Sequence, residues 1–209
     1  MNIPVAYEDN WLLIADKPAG LLSVPDGCAG KRTLTGILND DLGARHIAYK
    51  LHPCHRLDRE TSGLIIYAKG KAQQEKMMQM FKERAVHKQY IAFVQGSLSQ
   101  QVGQINFPLE GKNALTKYKV TRVLSNFSII EVTPLTGRTN QIRIHFKKIG
   151  HPLVGESKFA FRKDFLLRAK RVCLHAGYLS FKHPWTGNAV IVSSPLPPDM
   201  QKFLEEHCN

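Results

Sequence analysis

Short apolar runs bounded by turn residues recur along the first half of the chain. Residues 11–15 form one such run and lead into the turn signal Lys-Pro-Ala-Gly at 17–20. Residues 64–68 and 90–94 form two more, and the second is rich in aromatic and β-branched side chains. The pattern therefore predicts three strands in this half of the chain.

The second half of the chain is also rich in strand patterns. Residues 116–123 alternate between polar and apolar positions, and an apolar segment at 127–132 follows the pair Ser-Asn, which suggests a hairpin. Two further strands are predicted at 173–181 and 189–193, on either side of a His-Pro turn.

Helical periodicity is found in three places. Residues 72–84 place Met and Phe side chains on one side and charged side chains on others. Thr139 is a plausible N-cap for a helix that runs to residue 148, and a short helix is predicted from Pro198 to about residue 206. Residues 28–54 are mixed and predict loop with one short helix.

Strands outnumber helices, and several are linked by hairpins. This arrangement predicts an α+β fold with a mixed, mainly antiparallel β-sheet and flanking helices. No linker interrupts the 209 residues, so we expect residues 1–209 to form a single domain.

The charge narrows the range of partners. A net charge of +12 attracts phosphate backbones or anionic lipid. Membrane binding is the weaker reading, because the chain has no basic amphipathic helix with a clean apolar face and no long apolar run. A basic surface without a partner remains an alternative at this point.

The cysteines and the N-terminal residues indicate the compartment. The N-terminus has no charged segment followed by an apolar core, so no signal peptide is predicted. The four cysteines form no C-x-x-C pair, which fits a reducing cytosol and predicts a cytoplasmic protein. They are Cys28, Cys54, Cys173 and Cys208.

The most informative segment is H-R-L-D-R-E-T-S-G at residues 55–63. It places Asp58 between Arg56 and Arg59, and the two cations are expected to lower the pKa of the carboxyl and keep it ionised. An ionised carboxylate can act as a nucleophile, a general base or an electrostatic stabiliser. A surface ion-pair cluster is the alternative, but the turn and strand that follow anchor the segment to core structure.

A second polar cluster, T-G-R-T-N-Q-I-R-I-H, occupies residues 136–145. It lies at the start of a predicted helix, where anions are favoured. Arg138 and Arg143 can grip a phosphate or a carboxylate bidentately. A solvated helix face is the alternative.

Both clusters resemble motifs of the RluA-type pseudouridine synthases. Residues 55–63 resemble the H-R-L-D-x-x-T-S-G signature, which carries the catalytic aspartate, and residues 137–143 resemble the G-R-x-x-Q-[IL]-R element. Similar matches occur at 17–21, 150–156 and 174–176, although Glu156 stands where aspartate is usual. The matches run from about residue 11 to 195 in the expected order.

The resemblance implies a role for each site residue. Asp58 is the expected nucleophile, attacking either C1′ of the sugar or C6 of the base. Arg143 is expected to pair with that aspartate, and Tyr90, in a K-x-Y match, to pack against the target base rather than serve only the core. Arg56 is expected to help displace the target nucleotide. The remaining candidates for RNA binding are Arg59, Arg138 and Gln141.

The implied activity is isomerisation of a uridine in ribosomal or transfer RNA. We expect a monomer that uses no metal and no cofactor. Many relatives carry an S4 RNA-binding module upstream of the catalytic domain, whereas this chain is expected to start directly at the catalytic domain. Its affinity for RNA is therefore expected to come from the catalytic domain itself or from a small insertion. A zinc site at His52, Cys54 and His55 and a phosphate loop at 27–33 fit their patterns poorly.

Two other functions remain open. A non-catalytic RNA-binding or RNA-chaperone protein on the same fold would not need Asp58. A glycosidic hydrolase is less favoured because such enzymes normally use two carboxylates, and the motif clusters supply only one.

Overall fold

The computed structural model describes residues 2–25, 32–160 and 167–208. Cys28 and most of the loop-like segment 27–33 lie outside them. Within the described chain the elements, in order, are β1 (Val5–Glu8), β2 (Leu12–Lys17), α1 (Leu34–Ala44), β3 (Leu51–Pro53), β4 (Ser62–Lys69), α2 (Lys71–Lys82), β5 (Val86–Gln95), β6 (Val102–Asn106), β7 (Leu115–Val123), β8 (Phe127–Pro134), α3 (Gln141–Lys148), β9 (Leu174–Lys182), β10 (Ala189–Ser193) and α4 (Pro198–Glu206).

The chain divides into two compact units. Unit 1 comprises Met1–His87 and Tyr178–Ser194, and unit 2 comprises Lys88–Gly177 and Pro195–Asn209. The expectation of one domain over the whole chain stays a prediction. None of the helices in the described residues is long and apolar enough to cross a membrane.

Unit 1 is organised around β4. Its apolar run is buried on both faces, as a central strand requires. β2 and β3 both pair with it antiparallel, with Ile14 opposite Ile66 and Leu51 opposite Lys69. Thr33 is the N-cap residue of helix α1, and its hydroxyl accepts a hydrogen bond from the Gly36 N–H. The buried leucines and isoleucine of the helix face the core.

Unit 2 is a four-stranded antiparallel arrangement in the order β5-β8-β7-β6. Tyr90 of β5 lies opposite Val132 of β8, which in turn lies opposite Tyr118 of β7. Helix α3 packs on this face, where the Phe146 ring meets the Tyr118 ring edge-on at 5.5 Å. Helix α4 begins with proline, and its buried Met200 and Phe203 join a separate apolar cluster.

The predicted fold class is confirmed. Antiparallel pairing dominates both units, and an isolated parallel bridge joins residues 22 and 33. The patterned strands and the three helices lie where the sequence placed them, within a few residues. β1, β3 and β6 were not predicted: β1 and β6 are largely exposed, β3 has only three residues, and none shows a clear apolar pattern.

The N-cap residue predicted for α3 was wrong. Asn140, not Thr139, is the N-cap residue, and it adopts the left-handed conformation with φ of 52°. Asparagine tolerates this region better than threonine, whose β-branched side chain is strained there. The Asn140 side chain makes no capping hydrogen bond, which leaves it available for another contact.

Candidate active site

The aspartate-bearing segment is a loop between β3 and β4, fixed to the core of unit 1. His55 Nε2 accepts a hydrogen bond from the Ile66 N–H at 3.0 Å, and the imidazole packs against Phe81. Two residues later, Leu57 exchanges two hydrogen bonds with the buried Ser23. The Ser23 hydroxyl donates to the Leu57 carbonyl at 2.8 Å and accepts from its N–H at 3.1 Å.

The next fixed point of the loop is the carbonyl of Arg59. It accepts hydrogen bonds from the Gly20 N–H at 2.8 Å and from Lys17 Nζ at 3.2 Å. Lys17 is fully buried, and its ammonium also donates to the carbonyls of Pro18 and Leu21. Three carbonyl oxygens around one cation offset much of the cost of burying a charge.

The loop is therefore held at every second residue, through the side chain of His55 and the main chain of Leu57 and Arg59. The intervening residues Arg56 and Asp58 carry the side chains that the sequence assigned to chemistry. Arg56 is exposed and Asp58 is partly buried. The Asp58 carbonyl also closes a turn by accepting from the Thr61 N–H at 3.1 Å. These contacts restrict the main chain on both sides of Asp58 and therefore limit the positions that its carboxylate can take.

In unit 2, Arg143 lies in a cage formed by Asn140, Glu156 and Phe159, here called the Arg143 cage. Its Nε and Nη2 donate to the two carboxylate oxygens of Glu156 at 2.6 and 2.7 Å. Its Nη1 donates to Asn140 Oδ1 at 3.1 Å, and its guanidinium lies 5.1 Å from the Phe159 ring centroid. Only 5% of Arg143 is exposed. The cage fixes both the position and the plane of the guanidinium.

Glu156 is itself held in place. Its Oε1 accepts hydrogen bonds from the N–H groups of Lys158 and Phe159. Burial alone would raise the pKa of Glu156, but the Arg143 hydrogen bonds and charge and these main-chain donors hold it below its usual value. Gly155 precedes it with φ of 80°, and any Cβ there would collide with the Arg171 carbonyl.

Gln141 has a structural task. Its Nε2 donates to the Leu115 carbonyl and to Thr116 Oγ1, and its Oε1 accepts from Thr136 Oγ1 and the Arg138 N–H. Both donors and both lone pairs are thus used, and only 4% of the residue is exposed. Direct RNA contact by Gln141 stays a prediction, and any such contact competes with these four hydrogen bonds.

The three other residues predicted to bind RNA are exposed arginines. They are Arg56, Arg59 and Arg138. The Nε atoms of Arg59 and Arg138 each donate to a main-chain carbonyl, of Gly20 and Asn113 respectively, at 3.1 Å. These contacts use one N–H of a guanidinium that carries five, so binding of a phosphate by these side chains is compatible with them.

Tyr90 is on β5 and is 8% exposed. Because side chains alternate along a strand, Lys88 lies on the same face. Burial lowers the pKa of the Lys88 ammonium, because the charged form is poorly solvated there. Lys88, two residues before Tyr90, therefore loses its proton more readily than an exposed lysine.

The predicted site residues thus fall in both units. Asp58, Arg56 and Arg59 belong to unit 1, and Tyr90 and Arg143 to unit 2. The pairing of Asp58 with Arg143 stays a prediction. No group of three or more potential metal-ligating side chains occurs within the part of the chain that the structure describes.

Sequence reasoning did not identify the residues that support the site. Lys17, Ser23 and Glu156 all act on it through buried hydrogen bonds. A signal existed for two of them, since Lys17 opens the K-P-A-G-L match and Glu156 closes the G-H-P match. Ser23 carried no signal.

Comparison with known proteins identifies the family. A model of the RNA pseudouridylate synthase family matches residues 11–148, more than half of the chain. This chain belongs to the RNA pseudouridylate synthase family.

Relatives of this pseudouridine synthase support the assignment over almost its whole length. The dual-specificity RNA pseudouridine synthase RluA of Vibrio cholerae is 37% identical over 98% of this chain and 88% of that protein. The enzyme of the same name from Haemophilus influenzae is 34% identical over 90% of each chain. The resemblance read from the motifs is confirmed, and the family implies an RNA substrate.

Solved structures agree. Human RNA pseudouridylate synthase domain containing 1 is 28% identical, with a TM-score of 0.72 over 93% of this chain and 83% of that one. The corresponding human domain containing 4 is 21% identical, with a TM-score of 0.82 over 98% and 92%, and shows the shared fold.

Proposed function

We propose that this pseudouridine synthase isomerises a specific uridine in ribosomal or transfer RNA and that Asp58 is its nucleophile. The N1–C1′ bond breaks, the base turns, and C5 joins C1′. The C5 proton leaves, N1 gains a proton, and no electron acceptor is needed. Asp58 attacks either C1′ or C6, and both routes use the same carboxylate.

The observation that carries this proposal is the fixed main chain around Asp58. Ser23 and Lys17 hold the residues on either side of it through buried hydrogen bonds. A positioned nucleophile gains rate because reacting atoms misplaced by about 1 Å can lose a factor of roughly 100. A carboxylate that only formed surface ion pairs would not need such support.

The other residues are assigned by their environment. We infer that the partly buried Asp58 pairs with Arg143, whose charge favours the ionised form, and that Tyr90 covers the base. Arg56 fills the gap left by the displaced nucleotide, while Arg59 and Arg138 contact phosphates. Ribosomal RNA is supported by the name of one relative, the ribosomal large subunit pseudouridine synthase D of Nitrosomonas europaea, whereas transfer RNA rests on the resemblance of the motifs.

Replacing Asp58 by asparagine tests the proposal. The substrate is total RNA labelled with [5-³H]uridine in a strain that lacks the gene, and release of tritium to water reports loss of the C5 hydrogen. Asp58→Asn should abolish release and leave RNA binding unchanged, because an amide is a far poorer nucleophile. The matched control is Asp41→Asn, which makes the same charge change at an exposed carboxylate in unit 1.

The products separate the alternatives. An isomer of unchanged mass in the RNA supports the synthase, whereas free uracil would support a hydrolase. No product with the wild-type protein would favour a non-catalytic RNA-binding role. Tritium release by Asp58→Asn within tenfold of wild type would exclude Asp58 as the nucleophile.

A further inference from the structure

We propose that Glu156 is a positioning residue for the isomerisation: its carboxylate fixes the plane of the Arg143 guanidinium, so that Arg143 meets the reacting carboxylate in one orientation. The proposal rests on the proposed function, in which Arg143 pairs with Asp58. It assigns a catalytic consequence to a buried residue that does not contact the substrate.

The geometry of the pair is specific. A guanidinium carries five N–H groups in one plane. Glu156 takes two of them, on Nε and Nη2, and Asn140 takes a third, on Nη1. Two parallel hydrogen bonds on one edge remove rotation about the last side-chain bonds. Glu156 therefore sets the direction of the whole guanidinium plane, and with it the direction from which Arg143 makes the proposed contact with Asp58.

Stability alone is a poor reason for this ion pair. The side chains of Arg143 and Glu156 are 6% and 0% exposed, so both charges lose most of their hydration. Apolar residues of similar volume often serve a fold equally well in place of a buried ion pair. Because this buried ion pair adds little net stability, its fixed geometry is the property that can serve catalysis.

The carboxylate has a rigid base. Lys158 and Phe159 donate their N–H groups to Glu156 Oε1, so the main chain that follows the residue grips it. On the other side, Gly155 allows the main chain to approach Arg171 so closely that no side chain fits. Because the Glu156 carboxylate is fixed, the Arg143 guanidinium that is hydrogen-bonded to it has little freedom to move.

Replacing Glu156 by glutamine breaks the fork without changing the volume. An amide offers one oxygen in place of two, so the fork with one oxygen for each N–H is lost, and the NH₂ group faces an N–H donor of Arg143. Under single-turnover conditions with the [5-³H]uridine-labelled RNA, Glu156→Gln should lower the rate constant about ten- to hundredfold. The apparent KM should stay within about twofold, since Glu156 is buried. Glu156→Asp, which keeps the charge, should retain most of the rate.

A double-mutant cycle tests whether Glu156 acts through Arg143. In an Arg143→Ala background, Glu156→Gln should cause little further loss of rate, because coupled residues are not additive. The matched control is Glu8→Gln, which makes the same chemical change in another ion pair, with Lys69 in unit 1. The control should lower the melting temperature without lowering the rate of the folded protein.

A second variant covers the case in which Glu156→Gln does not fold. Asn140→Gly removes the Nη1 partner of Arg143, and glycine accepts the positive φ at this position. It should lower the rate several-fold at unchanged apparent KM. A rate within twofold of wild type for this variant, or within threefold for a folded Glu156→Gln, would overturn the inference. So would equal losses from Glu156→Gln with and without Arg143.

The result is separable from the proposed function. If the wild-type protein releases no tritium, the proposed function fails and the positional role fails with it. If the wild-type protein is active and Glu156→Gln is equally active, only the role of Glu156 is lost.

Discussion

Replacing Ser23 by alanine removes a single hydroxyl, yet it should affect both stability and catalysis. Ser23 is 2% exposed, and it exchanges two hydrogen bonds with the main chain of Leu57. The alanine variant leaves the Leu57 N–H and carbonyl without these partners. Both groups lie in buried surroundings, so water is poorly placed to replace the hydroxyl.

The size of the effect follows from the two lost hydrogen bonds. A buried polar group left unsatisfied costs about 1–3 kcal/mol, so two such groups should lower the free energy of unfolding by about 2–6 kcal/mol. Most of the usual range of stability, about 5–15 kcal/mol, exceeds that loss, so the variant should still fold. Because Leu57 directly precedes Asp58, the same change should loosen the proposed nucleophile and lower the single-turnover rate about tenfold or more.

Urea denaturation measures the stability, and tritium release from the labelled RNA measures the rate. Ser128→Ala is the matched control, because Ser128 is a fully buried serine of unit 2 that donates to the Gly96 carbonyl. That variant should lose about 1 kcal/mol and keep its rate. If Ser23→Ala reacts as fast as Ser128→Ala when both are folded, the Ser23 contact does not position Asp58.

Two further predictions concern an aromatic ring and a carboxylate. Tyr90→Phe should keep RNA binding and slow one step, whereas Tyr90→Ala should also weaken binding by about 1–3 kcal/mol; wild-type behaviour of both variants would make Tyr90 a core residue. Burial alone would raise the pKa of Asp9, but hydrogen bonds from the Tyr7 hydroxyl and two main-chain N–H groups, with the nearby His183, lower it. Its stabilisation is therefore present above the unfolded-state pKa and lost as the pH falls through the lower folded value, so Asp9→Asn should cost about 1–2 kcal/mol at pH 7 and progressively less in acid. Denaturation at several pH values checks this, and a loss that does not change with pH would contradict it.

The interior strands were predictable from the sequence because a buried strand needs a continuous run of apolar residues. β4 is buried at every position but its last, and its residues 64–68 are all apolar, since both of its faces are covered. β1 and β6 were missed because exposed strands have little need for apolar residues. Their pairing comes from partners elsewhere in the chain, which a local pattern does not encode.

The site shows the same division. The motif identified Asp58, but its supports come from Ser23, 34 residues before Leu57, and from Lys17, 42 residues before Arg59. Gln141 illustrates a different limit, because a polar side chain at a helix start fits both RNA binding and a buried hydrogen-bond network. Its four hydrogen-bond partners reveal the network, and its contact with RNA stays a prediction.

Unit 1 is formed by two separate segments of the chain, so its core is completed late during synthesis. Leu179, Phe181, Val190 and Val192 belong to the same apolar cluster as the strands near the N-terminus, yet all of Lys88–Gly177 is translated between them. At ordinary ribosome speeds that interval lasts roughly 5–20 s. During it the N-terminal segment lacks the strand residues that complete its apolar cluster. An mRNA truncated in this interval would yield a polypeptide that carries the Asp58 motif without the full core that supports it.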